Sequence, residues 1–161
     1  MTAGLALLNQ NIHCVNANFD AVVASLLDAF HNFPDIVLTE TWLSEESAEF
    51  CNLDGYNVYH TVHAWHRGGG FVRICSKKFV SKKLLHLCIY NDTIEACVVE
   101  LVFGDVQLII LSVYRRHSYT ISDFDVILLD LLHHHSLTNK NIIITGDFII
   151  SSLYLQMNFY C

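Results

Sequence analysis

Asp35-Ile36-Val37-Leu38-Thr39-Glu40-Thr41-Trp42-Leu43 is the stretch on which the fold turns: a short run of strand composition that stops on an acid. Pro34 stands directly before it, and proline ends a helix because it lacks an N–H and its ring clashes with the preceding turn. Upstream, Phe19, Val22, Val23, Leu26, Leu27 and Phe30 recur at helical spacing, with Asn18 placed to cap them. Further upstream, Leu5 to Ile12 reads as a short buried strand ending in polar residues. Strand, amphipathic helix and strand make a βαβ-like opening, the second strand laid down after a crossover.

Downstream the pattern changes to strands, at Tyr56 to Thr61, Gly70 to Ser76, Leu84 to Tyr90, Ile94 to Phe103 and Val106 to Val113. The last two are separated only by Gly104-Asp105, which suits a type II′ hairpin turn and makes them antiparallel neighbours. A second helix follows, with Phe124, Ile127, Leu128, Leu131 and Leu132 on one face, Ser122 as cap and Asp125 completing a weak capping box. Asn141 to Thr145 is a final buried strand that delivers Gly146-Asp147 at its end. No repeat, low-complexity tract or linker divides the chain, so residues 1–161 read as a single domain of mixed α/β class.

Apolar residues make up 53% of the chain and charged ones 16%, which excludes disorder. The longest apolar runs, such as Leu108 to Leu111 and Ile142 to Ile144, fall far short of the ~20 residues a spanning helix needs, so no membrane partner is expected. The N-terminus has Leu5 to Leu8 but no preceding Lys or Arg, and Asn9, Gln10 and Asn11 cut the run too early for a signal peptide. An intracellular protein follows, and its six scattered cysteines, without a C-x-x-C pair, read as free thiols. The net charge of −7 is unfavourable for binding a polyanion, whose affinity rests on Lys and Arg that displace counterions. Lys77, Lys78, Lys82 and Lys83 form the one basic cluster, read as a solvated edge strand or turn in preference to a DNA contact.

Open sheets expose functional side chains where strands end, which singles out Asn11, Glu40, Tyr114 and Asp147. Carboxylates at two neighbouring strand ends suit Mg²⁺, which takes hard oxygen ligands, keeps several waters and polarises phosphoryl oxygens. A lone acid at a strand end is more often a turn or cap residue, so the ordered set carries the signal.

Thr39-Glu40-Thr41-Trp42-Leu43, Gly55-Tyr56, Arg67-Gly68-Gly69-Gly70, Ser112-Val113-Tyr114-Arg115 and Gly146-Asp147-Phe148 occur in the order seen in LINE-type retrotransposon endonucleases. Over roughly residues 5–155 the chain resembles the DNase I-like endonuclease/exonuclease/phosphatase superfamily. The resemblance implies part of a four-layer α/β-sandwich, here one mixed sheet with flanking helices and the second sheet largely missing. It implies a Mg²⁺- or Mn²⁺-dependent phosphodiesterase that nicks target DNA by in-line hydrolysis, leaving a 3′ hydroxyl to prime reverse transcription. Glu40 would be the direct metal ligand with Asn11 beside it, Tyr114 would contact the scissile phosphate or orient the catalytic groups, Arg115 would contact the substrate, and Asp147 would position or deprotonate the attacking water. DNA is then the partner, and action on chromosomal DNA would place the protein in the nucleus.

Three departures weaken that expectation. Ile149 stands where the pattern G-D-F-N has an amide, and a hydrocarbon neither donates nor accepts a hydrogen bond. Nothing after Ile150 matches the late S-D-H motif, and His133, His134 and His135 precede Asp147, so they cannot supply it. Arg116-His117 replaces prolines that would stiffen the loop after Tyr114. These features make a weakly active or inactive, truncated copy the expectation, whose uncovered sheet face would favour self-association. A non-catalytic remnant that binds nucleic acid or protein is the alternative, and a phosphatase of the same superfamily acting on lipid head groups or nucleotides is a third. His60, His63 and His66 read as an exposed loop, and Trp42 and Trp65 as rim or core residues before base-stacking ones.

Overall fold

Alternating side chains decide where each strand's two faces go, and Asp35–Thr39 and Phe71–Ser76 are buried on both. A computed structural model describes residues 6–14, 18, 20, 21, 24, 35–48, 51–61, 69–116 and 119–148. Strands β1 (Leu7–Asn11), β2 (Asp35–Thr39), β3 (Tyr56–His60) and β4 (Phe71–Ser76) form one sheet in the order β1-β2-β4-β3. Strands β5 (Val80–Lys83), β7 (Ile94–Phe103), β8 (Val106–Arg115) and β9 (Asn141–Asp147) form a second in the order β5-β7-β8-β9, with β6 (Ile89–Tyr90) also paired to β7. β1 runs parallel to β2 and β8 parallel to β9, while the other pairs are antiparallel. Helix α1 (Glu45–Ala48) is a single turn, and α2 (Ile121–Leu132) packs on the second sheet.

The mixed α/β sandwich is therefore as expected, but the single sheet is corrected to two facing ones. Phe71, Cys75, Cys97, Val99, Leu101 and Ile110 fill the space between them. On the outer face of the second sheet Ile94, Ala96, Val98, Leu111 and Val113 meet Phe124, Leu128 and Leu131 of α2. On the outer face of the first, Ile36, Leu38, Val72 and Ile74 meet Ile12, Leu43 and Cys51. The high apolar share is spent on three buried interfaces, so the premise of a bare inner face falls.

The βαβ-like opening holds in its strands, since β1 and β2 pair in parallel register from Leu7↔Asp35 to Asn11↔Thr39. The apolar residues of the helical pattern, Phe19, Val22, Val23, Leu26, Leu27 and Phe30, lie outside the described residues, while Asp20, Ala21 and Ala24 between them are helical. Asn18 is described, and its amide donates to the carbonyls of Ile12 and Cys14 at 2.9 and 3.4 Å instead of accepting as a cap would. The hairpin at Gly104-Asp105 is present, with Gly104 at φ +58.

Leu84 to Tyr90 is not one strand. Between Lys83↔Val99 and Ile89↔Ala96 the chain advances six residues while β7 advances three. The surplus is taken up by a 3-10 turn at Leu85–Leu87, which buries Leu87 and exposes Leu85. The basic cluster ends on the edge strand β5, where the Lys83 ammonium donates to the His60 carbonyl. The cap of α2 is Thr120, whose hydroxyl accepts from the Asp123 amide at 3.2 Å, not Ser122. The five described cysteines are free thiols.

Candidate active site

Parallel pairing carries the ends of β1 and β2 to one rim, and the β8–β9 pairing does the same for Tyr114 and Asp147, which are register partners. The rims meet. The Asn11 amide donates to Asp147 Oδ2 at 2.9 Å, and the Asn9 amide donates to the Gly146 carbonyl at 2.9 Å. Gly146 has to be glycine, because a Cβ there would lie 1.7 Å from the Val113 carbonyl oxygen. Across the sandwich, the Tyr114 hydroxyl donates to Glu40 Oε1.

Glu40 Oε2 accepts from the Trp42 indole at 2.7 Å and from the Gly69 amide at 3.2 Å. Half-burial pushes its carboxyl pKa up, but the Tyr114, Trp42 and Gly69 bonds and the nearby His13 outweigh this and hold it below the usual carboxylate value. Tyr114 moves the other way. Burial, the bond to Glu40 and the charges of Glu40, Glu95 and Asp147 all raise its pKa, so it remains a hydroxyl donor. Three carboxylates thus act on one phenol.

The backbone at this rim is strained. Of five non-glycine residues with positive φ among those described, His13, Cys14, Glu40 and Trp42 lie just beyond β1 and β2. Such conformations cost about 1–3 kcal/mol each and persist only where surrounding structure enforces them. Here the enforcement comes from backbone bonds: Cys14 N–H to the Glu40 carbonyl at 2.8 Å and Trp42 N–H to the Gly69 carbonyl at 3.0 Å.

Asn11, Glu40, Tyr114 and Asp147 are accordingly brought together. Arg115 is not with them. Alternation turns it to the α2 side of the sheet, where it is 8% exposed and donates to the Tyr119 carbonyl at 3.3 Å. Ile149, His63, Trp65, His66, Arg67 and Gly68 lie outside the described residues, while His60 ends β3 on the first sheet. The strand-end rule also missed Glu95, fully buried near the start of β7. Its signal was parity, because it shares the inward face with Cys97, Val99 and Leu101, where a buried acid requires partners.

The donor set suits a hard divalent cation: a carboxylate kept ionised, the amide oxygen of Asn11 on the adjacent strand, which accepts from the His13 N–H at 3.3 Å, and the negative charges of Glu95 and Asp147 nearby. Among the described residues no group of three or more His, Cys, Asp or Glu is placed to hold a metal ion. Mg²⁺, which keeps much of its water, does not require one.

No protein-family profile and no curated protein matches the chain. Solved structures do. The endonuclease domain of TRAS1, a telomere-specific non-LTR retrotransposon, superposes with a TM-score of 0.65 at 11% identity, covering 88% of this chain and 58% of that one. The AP endonuclease LMAP from Leishmania major gives 0.64 at 15% identity, covering 86% and 53%. The 3′ phosphatase NExo from Neisseria, bound to a product DNA hairpin, gives 0.58 at 13%, covering 88% and 56%. All are DNase I-like endonuclease/exonuclease/phosphatase folds, and the chain has that fold while spanning little more than half the length of each.

Proposed function

We propose that this chain, with its DNase I-like fold, is the metal-binding and water-activating part of a DNA phosphodiesterase of the retrotransposon endonuclease type. The observation that carries the reading is the meeting of strand ends from two sheets, with Glu40 bonded to Tyr114, Asn11 bonded to Asp147, and Tyr114 and Asp147 register partners. Structural ion-pair networks neutralise their acids with a cation of the chain, whereas among the described residues Glu40 is hydrogen-bonded by neutral donors that keep it ionised.

Glu40 and Asn11 would hold Mg²⁺ or Mn²⁺, which when bound polarises a phosphoryl oxygen and stabilises the leaving oxygen. Asn11 fixes one oxygen of Asp147, so the carboxylate is oriented to take a proton from water. As the water oxygen bonds to phosphorus, that proton passes to Asp147 and the opposite P–O bond breaks. Tyr114 keeps its proton throughout and holds Glu40 in place. Action on chromosomal DNA would locate the protein in the nucleus.

Supercoiled plasmid nicking tests this. Nicking that needs Mg²⁺ and disappears in Glu40→Ala is expected, with Ile149→Asn raising the rate on the order of 10²-fold if the amide stabilises transition-state charge. No Mg²⁺-dependent nicking by either the native chain or Ile149→Asn would overturn the reading. That result would favour a non-catalytic nucleic-acid- or protein-binding remnant, which an isoleucine at position 149 in place of the amide of the G-D-F-N pattern and the net charge of −7 support.

A further inference from the structure

Glu95 is fully buried on the inward face of β7, beside its register partner Tyr114. Its Oε2 accepts from the Gly70 amide at 2.8 Å, and its Oε1 accepts from Nε and a terminal nitrogen of Arg116, both at 3.2 Å. Arg116 also lies 3.8 Å from Asp92, and its backbone N–H bonds the Thr93 carbonyl. The residue that replaces a loop-stiffening proline is therefore tied down by a buried charge.

On the other side of the same turn is Glu40. Gly69 gives its amide to Glu40, and its carbonyl accepts from the Trp42 amide, while Gly70 bonds Glu95 and its carbonyl accepts from Thr41. Gly69-Gly70 is thus a two-residue spacer between two carboxylates. Both glycines have left-handed φ, +77 and +79, and a Cβ on Gly69 would come within 2.4 Å of Glu95 Oε1. The turn has no room to slide while Glu95 stays in place.

We infer that Glu95 is a positioning residue of this site: with Arg116 it fixes the Gly69-Gly70 turn, which in turn holds Glu40 and Trp42 in the arrangement that receives a divalent cation. The inference rests on the proposed metal-dependent function, and it assigns Glu95 no contact with substrate. Glu95→Gln keeps the shape but has only one oxygen. It can satisfy Arg116 or the Gly70 amide, while its new NH₂ faces a donor.

Trp42 reports on Glu40 through its indole bond. In a Trp65→Phe background it is the only tryptophan. Two readouts are taken there: acrylamide quenching of Trp42 without metal, and the change in its emission on titration with Mn²⁺. Glu95→Gln is expected to increase quenching and weaken Mn²⁺ binding about 10- to 100-fold, the usual cost of losing an outer partner of a metal ligand, with unchanged circular dichroism. Should Glu95→Gln fail to fold, Arg116→Lys, altered at a side chain 15% exposed, is expected to move both readouts the same way by less. Unchanged quenching and affinity in these variants overturns the role of Glu95. A Trp65→Phe parent whose Trp42 gives no response to Mn²⁺, with no Mn²⁺ bound in calorimetry, overturns the metal reading instead.

Discussion

Strand β2 carries an acid at each end, and the two are treated oppositely. Asp35 opens the strand, is fully buried, and is gripped by Arg73, also fully buried, through Nε at 2.9 Å and a second, shorter bond. Arg73 then donates to the Ile110 carbonyl at 3.0 Å, stitching the two sheets together. Glu40 follows the strand, is half-buried, and among the described residues has a phenol, an indole and an amide as hydrogen-bond partners. One carboxylate is neutralised by a cation of the chain itself, while the other has its geometry fixed, among the described residues, by neutral donors. That separates a structural acid from one prepared for an external cation.

Arg73→Met should have the largest effect on stability. It leaves Asp35 buried without its cation, a loss of about 3–5 kcal/mol when one member of a buried pair is removed, read as a fall in the urea midpoint. Adding Asp35→Leu should recover most of that loss, because a buried pair replaced by apolar residues is often neutral. If the double variant were as unstable as the single one, the pair would be doing something other than neutralising itself.

Glu40→Gln should be milder in stability. The glutamine keeps one oxygen to accept with, and Trp42, the exposed one of its donors, can turn to water, so about 1 kcal/mol is expected, the net worth of a typical hydrogen bond. Divalent-ion binding, by contrast, should fall far more in Glu40→Gln than in any variant of Asp35 that still folds. Equal ion affinity in Glu40→Gln and the native chain would erase the distinction between the two ends of β2.

The sequence made the Glu40 end legible and the Asp35 end nearly invisible. Glu40, Asn11, Tyr114 and Asp147 each follow an apolar run, and a polar residue just past a buried strand has to emerge at its rim. Asp35 looked like the first polar residue of a strand, and nothing local indicated that Arg73, 38 positions away, would be drawn inward to meet it. Glu95 was hidden for the same reason, since its partners Gly70 and Arg116 are fixed by tertiary packing and not by spacing. The second sheet was undercounted because covered faces on both sides give continuous apolar runs, which do not reveal how many sheets share them. The break at Leu85–Leu87 escaped because it follows from a register mismatch on a neighbouring strand.

The smallest predicted effect is the pH dependence, and its sign follows from Glu40. The folded-state pKa of Glu40 lies below the ordinary value of 4.5, because hydrogen-bond donors and His13 outweigh burial. A group with a depressed folded pKa binds its proton more readily when unfolded, so its contribution is fully present above 4.5 and is lost as pH falls through the folded value. The stability gap between the native chain and Glu40→Gln should therefore be constant near neutrality and shrink as the pH drops below 4.5. Urea unfolding of both proteins across that range checks this. A gap that widened on acidification would mean that burial dominates at Glu40, leaving it a protonated acid poorly suited to a cation.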